Sequence, residues 1–147
     1  MTTARDIMHP GAECIGEDDS LRDAARKMRE LDVGSLPICG NDDKLHGIIT
    51  DRDIVVGCVA RGKDPAKVKA GEFGQQRLHM VSATDDADAV VRMMERHQIR
   101  RVPVIENKRL VGMISEADLA QHLPEEKLAR FVENVYAPSR KAGSTTG

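Results

Sequence analysis

Apolar and polar positions along the chain set out a series of short elements. Residues 4–8 read as a helical turn ended by Pro10 and Gly11, and 13–15 as a brief strand. From Leu21 the apolar positions Leu21, Ala24, Ala25, Met28 and Leu31 recur at i, i+3, i+4 and i+7. That spacing predicts a one-faced helix over 21–31, with Asp18, Asp19 and Ser20 supplying its caps. Residues 36–39 read as a strand, 40–43 as a turn and 45–50 as the antiparallel partner. A helix then runs to about residue 61, where Gly62 is a stop signal.

A second series follows. Residues 63–69, with Asp64-Pro65 and three lysines, form a connector, and a helical turn is expected over 68–73. Residues 78–81 read as a strand. A helix over 86–97 carries Ala89, Val90, Met93, Met94 and His97. Strands over 102–105 and 110–115 make a hairpin turning at 106–108, and a last helix ends near residue 122. Pro124 opens something new: Leu128, Phe131, Val132 and Val135 form an apolar stripe at helical spacing. That stripe needs a cover: a partner chain in a two-fold dimer is expected to supply it, and the alternative is that the helix folds back on its own chain.

The two series are one pattern used twice. At an offset of 66 residues Ala4 meets Ala70, Asp19 meets Asp85, Arg26 meets Arg92, Met28 meets Met94 and Pro37 meets Pro103. After one residue is dropped near Lys44, Leu45 meets Leu110, Gly47 meets Gly112, Ile49 meets Ile114 and Asp53 meets Asp118. The centre of each copy is Gly47-Ile48-Ile49-Thr50-Asp51-Arg52-Asp53 and Gly112-Met113-Ile114-Ser115-Glu116-Ala117-Asp118. Each reads as a strand running into a helix with a hydroxyl residue at the joint. Free backbone N–H groups, a hydroxyl and a carboxylate there suit a phosphate and a ribose. The plain alternative is a pair of capping boxes that hold helices and bind nothing.

Each copy resembles a CBS domain, and the two together resemble the CBS tandem known as a Bateman module. The resemblance rests on Ser20-Leu21, Ala24, Met28, Leu36-Pro37-Ile38 and the first glycine stretch, and on Val90, Met94, Val102-Pro103-Val104 and the second. It covers residues 3–122. Small stand-alone CBS-pair proteins of the hypoxic-response type in actinobacteria are similar over wording such as Thr3-Ala4-Arg5-Asp6-Ile7-Met8. The implied fold is α+β: two units of strand, helix, β-hairpin and helix with pseudo-two-fold symmetry, sharing one core. The expected layout is a first unit at 1–62, a connector at 63–69, a second unit at 70–123, a C-terminal amphipathic helix at 124–136 and a disordered tail at 137–147.

The resemblance also implies ligand sites. One set is Ser35, Leu36, Pro37, Thr50, Arg52 and Asp53; the matching set is Arg100, Arg101, Val102, Pro103, Ser115 and Asp118. Arg52 fits the family's basic residue before the aspartate, whereas Ala117 does not, so Arg100 or Arg101 is expected to replace it. The aligned first-unit residues, Gly34 and Ser35, are small, so the two clefts are expected to be unequal. In the implied topology the first two strands of a unit are neighbours. Cys14 and Cys39 then form either a disulfide or two buried thiols, with Cys58 left over.

Composition narrows the function. Net charge is −2 with both signs interspersed, and no basic stripe for nucleic acid is evident. Aromatic residues make up 2% of the chain with no Trp, so base-stacking platforms are nearly absent and the core must be aliphatic. No apolar run reaches a membrane span and the N-terminus carries no secretory core, so a cytoplasmic protein is expected. His9, His46, His79, His97 and His122 show no close His/Cys pairing, so no metal and no cofactor are expected. A metal assembled across the fold from His9, His46 or a cysteine is the alternative. No nucleophile elbow, P-loop or HExxH is found, and no catalytic residue is assigned.

The expectation is a non-catalytic regulatory protein. It would be a homodimer that senses AMP, ADP, ATP or S-adenosylmethionine and signals to a regulated protein the sequence does not name. The rival is an interaction or stress-response protein that binds no nucleotide and responds to redox state or metal. CBS pairs in larger proteins, IMP dehydrogenase among them, adjoin a catalytic domain for which 147 residues leave no room.

Overall fold

Thr3 sets the first element: its N–H donates to the Asp6 carboxylate at 2.8 Å and holds a single turn, α1 (Ala4–Ile7). The structure, a computed structural model, describes residues 1–42, 44–73 and 78–138. Strands β1 (His9–Pro10) and β2 (Ile15–Gly16) follow. Ser20 then accepts a hydrogen bond from the Asp23 N–H and opens α2 (Leu21–Leu31), which ends at Asp32 in the left-handed region. Strands β3 (Ser35–Cys39) and β4 (Leu45–Thr50) make a hairpin, and Thr50 caps α3 (Asp51–Gly57).

The helix expected to run to residue 61 is broken. Val55 and Val56 followed by Gly57 are poor helix formers, and Cys58 leaves helical geometry at φ −122° and ψ −65°. A separate 3-10 turn, Val59–Arg61, completes the segment, and Gly62 stops it at φ 73°.

The second copy repeats the first. It comprises a 3-10 turn at Ala70–Phe73, β5 (Val81–Ser82), α4 (Ala87–His97), β6 (Arg101–Glu106), β7 (Arg109–Ser115) and α5 (Glu116–His122). Helices α2 and α4 have the same length and end on αL residues 66 positions apart, Asp32 and Gln98. In each sheet the first short strand runs parallel to the hairpin's first strand and the hairpin is antiparallel. Register shifts fall at Ile38/Cys39 and at Val104/Ile105, which are matching positions. Met28 and Met94 are both buried, as are Ile49 and Ile114. The fold is α+β, with two structurally equivalent repeats.

Sequence order and packing order differ. Strand β1 pairs antiparallel with β7, His9 opposite Met113 and Pro10 opposite Gly112. A side chain at Gly112 would meet the His9 carbonyl at 2.6 Å, so glycine allows this approach. The Ala4 and Arg5 N–H groups donate to the carbonyls of Asp85 and Ala83 at 2.8 and 3.0 Å. The leading segment of the first copy thus completes the second. The exchange is mutual: Ala70 and Gly71 donate to Asp19 and Glu17 of the first copy at 2.8 and 2.9 Å.

Buried apolar side chains fall into two clusters, not the single shared core expected from the small size of each unit. One holds Ile15, Leu21, Ala24, Met28, Leu36, Ile38, Ile49, Ile54, Cys58 and Ala70. The other holds Ala4, Ile7, Val90, Met94, Val102, Val104, Ile114 and Leu119, among others. Each sheet is covered by its own helices, and the exchanged segments join the two clusters.

The C-terminal helix takes the second of the two courses left open for it and folds back on its own chain. Helix α6 (Glu125–Val135) lies against α4 of its own chain, and Phe131 is 0% exposed without any partner. Lys127 Nζ reaches Asp88 Oδ1 at 2.9 Å across this contact. The stripe packs on α4, and Val91 of α4 belongs to the same buried cluster as Phe131 and Val135; of the four stripe residues only Val132 stays exposed. The expectation for the tail at 137–147 falls, beyond residue 138, outside the described residues. The pairing of β2 with β3 leaves Cys14 and Cys39 with Cα atoms 5.6 Å apart, within disulfide range. Cys58 is buried in the first cluster.

Candidate functional site

The two hydroxyl–aspartate joints fold as their local chemistry requires. Thr50 N–H donates to Asp53 Oδ2 at 2.9 Å, and the Asp53 N–H donates back to Thr50 Oγ1 at 3.1 Å. Ser115 N–H and Oγ–H donate to Asp118 Oδ2 at 2.9 and 3.0 Å. Both aspartates therefore complete capping boxes. They differ in what the second oxygen meets. Asp118 Oδ1 lies 3.2 Å from His9 Nδ1, brought there by the pairing of β1 with β7. His122 Nδ1 sits 2.8 Å from the Asp118 carbonyl on the same helix. Asp118 is buried, whereas the His9 side chain is largely exposed.

A cleft of about 690 Å³ opens beside this joint. Its lining comes from both copies: Leu31 to Pro37 from the first, and Arg100, Arg101, Met113 and Ser115 to Asp118 from the second. The leading segment from His9 to Glu13 forms a third wall. Ser35, Leu36 and Pro37 thus share one cavity with Arg100, Arg101, Ser115 and Asp118. Thr50, Arg52 and Asp53 lie outside this lining, as do Val102 and Pro103, which are buried in β6. The two sets named from the sequence are mixed here, because the leading end of β3 meets the leading end of β6 and the start of α5.

The arginines are held in different ways. Arg101 Nη2 lies 2.9 Å from the position that a Cβ on Gly34 would take, and Asp51 Oδ2 lies 3.1 Å from it. Gly34 thus leaves room beside it for the end of this arginine, next to Asp51 of the first copy. Arg100 Nη1 donates to the Tyr136 hydroxyl at 3.2 Å, and the hydroxyl donates onward to Glu116 Oε2 at 3.2 Å. The hydroxyl accepting its N–H holds the Arg100 guanidinium above its ordinary pKa. The lining carries two arginines against Glu13, Asp32, Glu116 and Asp118, so the wall offers both signs of charge.

Sequence spacing had no means of placing His9 beside Asp118, because the contact spans 109 residues. Glu116 was visible as a variable position inside the second joint, and Tyr136 as the one tyrosine of the chain. Neither carried a pattern linking it to Arg100.

Comparison with known proteins agrees with the repeat. The CBS domain family model matches residues 4–58 and 70–125. Hypoxic response protein 1 of Mycobacterium tuberculosis is 51% identical over 138 residues, covering 94% of this chain and 96% of that protein. The crystal structure of Hypoxic Response Protein I with two coordinated zinc ions aligns at a TM-score of 0.77 with 53% identity, covering 84% of this chain and all of that one. A hexameric CBS-CP12 protein from bloom-forming cyanobacteria aligns at a TM-score of 0.73 with 29% identity, over 83% of this chain and 71% of that one. The zinc ions in the second of these correct the expectation that no metal and no cofactor go with a protein of this kind. That expectation rested on the lack of close His/Cys pairing along the sequence, and a metal assembled across the fold was the alternative.

Proposed function

This chain belongs to the CBS-domain family, as a tandem pair, and on that footing we propose that it is a non-catalytic regulatory protein whose inter-unit cleft receives an adenosine nucleotide and signals to a partner. The observation that carries the reading is the 690 Å³ cleft with Arg100, Arg101, Ser115 and Asp118 on one side and Ser35, Leu36 and Pro37 on the other. Its volume suits a mononucleotide. Leu31 and Val33 line the cleft and are exposed, so they offer an apolar face to a base, and the guanidinium groups offer paired donors to a phosphate. Asp118 Oδ2 is held in the capping box, so Oδ1, beside His9, is the oxygen left for a ribose hydroxyl.

Calorimetry with AMP, ADP, ATP and S-adenosylmethionine tests the proposal. Binding of at least one is expected. Arg101→Ala should weaken a phosphate-bearing ligand by about 1.5 to 3 kcal/mol, the worth of hydrogen bonds to a charged group. No heat from any of the four at millimolar concentration would sink the reading and favour an interaction protein that binds no nucleotide.

Zinc is a second reading, favoured by the ions in the relative at 53% identity. Among the described residues no group of three or more His, Cys, Asp or Glu side chains converges to hold a metal within one chain. Pairs are present. His9 has Asp118 behind its Nδ1, an arrangement that leaves Nε2 for an ion. The rings of His79 and His97 lie 4.0 Å apart. His46 meets Asp42 and Glu17 through opposite ring nitrogens, so those three do not face one ion. We propose that a zinc site here takes ligands from a second copy of the chain, in a homodimer. Sedimentation with zinc and with a chelator reads this directly. Zinc should raise the mass, and zinc bound by a chain that stays monomeric would count against the shared site.

A further inference from the structure

Tyr136 follows a helix that begins where the second family repeat ends, yet its hydroxyl bridges two residues of the cleft wall. Arg100 donates to it and it donates to Glu116, each at 3.2 Å. The Arg100 guanidinium also lies over the ring, 5.5 Å from its centroid. The same end of α6 is tied to α4 from the other side. Gln98 Nε2 donates to the carbonyls of Asn134 and Ala137 at 3.2 and 2.8 Å, and Asn134 Nδ2 donates to Glu95 Oε2 at 2.8 Å. Gln98 stands two residues before Arg100, so one short stretch of chain serves the helix end and the cleft together.

We propose that Tyr136 is a positioning residue for the ligand cleft, and that α6 is the element through which occupancy of the cleft is passed outward. The inference rests on the nucleotide reading of the cleft. A guanidinium carries five N–H donors in one plane. The tyrosine engages one and supports the flat face, which leaves the others for an anion. Its O–H also occupies Glu116, which would otherwise compete with a ligand phosphate for Arg100. Where the last turn of α6 sits thus sets whether Arg100 can serve an anion. Linkage makes the effect reciprocal: an anion that prefers this arrangement of Arg100 holds the end of α6 in place.

Tyr136 is the one tyrosine of a chain without tryptophan, so intrinsic fluorescence reads this ring alone. The full chain and its Tyr136→Phe variant are titrated with AMP and with adenosine by calorimetry, and hydrogen exchange is followed over 125–137. In the wild type, AMP should bind more tightly than adenosine, change the tyrosine emission and slow exchange at the end of α6. Tyr136→Phe keeps the ring and should narrow the preference for AMP over adenosine by about tenfold, as expected for a hydrogen bond to a charged group. An unchanged preference, with exchange in α6 indifferent to AMP, overturns the inference. If neither compound binds either protein, the nucleotide reading falls by itself. The tie between Tyr136 and the cleft is then judged without ligand: Arg100→Gln and Tyr136→Phe should both speed exchange at the end of α6, and no change in either overturns it.

Discussion

Asp53 and Asp118 are the same residue in two copies of one motif, and a single neighbour separates them. Both cap a helix; only Asp118 meets a histidine, His9, from the far end of the chain. Asp32 and Gln98 diverge in the same way. Both end a helix at φ near +54°, a region costing a residue with a side chain roughly 1 kcal/mol. Asp32→Gly should therefore stabilise the protein by about 0.5 to 1 kcal/mol in urea denaturation. Gln98→Gly should bring no gain, because it removes the two hydrogen bonds to the end of α6. Equal gains from both would show that those bonds contribute nothing. The cysteines give another test at this scale. A disulfide between Cys14 and Cys39 spans a separation of 25 residues. Such a loop contributes about 3 kcal/mol in the chain-entropy model. We expect one free thiol, Cys58, in the unfolded protein kept from reductant, and three after reduction; three before reduction would refute the bridge.

Among the elements, α6 shows how an amphipathic helix finds its cover. Its stripe is buried on α4, with the Lys127–Asp88 pair at the edge of the contact. The hydrogen bond and charge of Lys127 hold the Asp88 carboxyl below its ordinary value of 3.8. A carboxylate whose folded pKa is depressed stabilises the folded state fully above the unfolded value, and that contribution is lost as pH falls through the folded value. The docking of α6 should therefore be insensitive to pH above about 5 and loosen below about 3.8. Exchange over 125–135 at pH 6, 4.5 and 3 measures this, with Asp88→Asn as the control that should flatten the dependence. Loosening that begins well above pH 5 would assign the effect to other groups.

At the scale of the molecule, the exchange of leading segments makes the two copies depend on each other. Ile7 belongs to the first copy by sequence and to the second by burial. Ile7→Ala should cost about 2 to 5 kcal/mol, the range for emptying a packed aliphatic site. Hydrogen exchange should rise chiefly over 81–122, not over 15–58. A rise confined to the first copy would mean that the exchanged segment does not support the second core. Cooperative two-state unfolding of the whole chain is the companion expectation, since neither cluster is complete without residues from the other copy's stretch of sequence.

The sequence by itself determined the repeat, the helices over 21–31 and 86–97, both hairpins and both capped joints. These depend on residues a few positions apart, and spacing along the chain reports such contacts directly. The two-residue strands were placed less well, 13–15 against Ile15–Gly16, because so short a run has no period to read. Only the tertiary structure decided that His9 stands against Asp118, that Arg101 reaches beside Gly34, that Tyr136 braces Arg100, and that α6 is covered by its own chain. Each of these joins residues 20 or more positions apart, where the sequence offers many pairings of equal merit. The choice among them is made by which faces can be buried together.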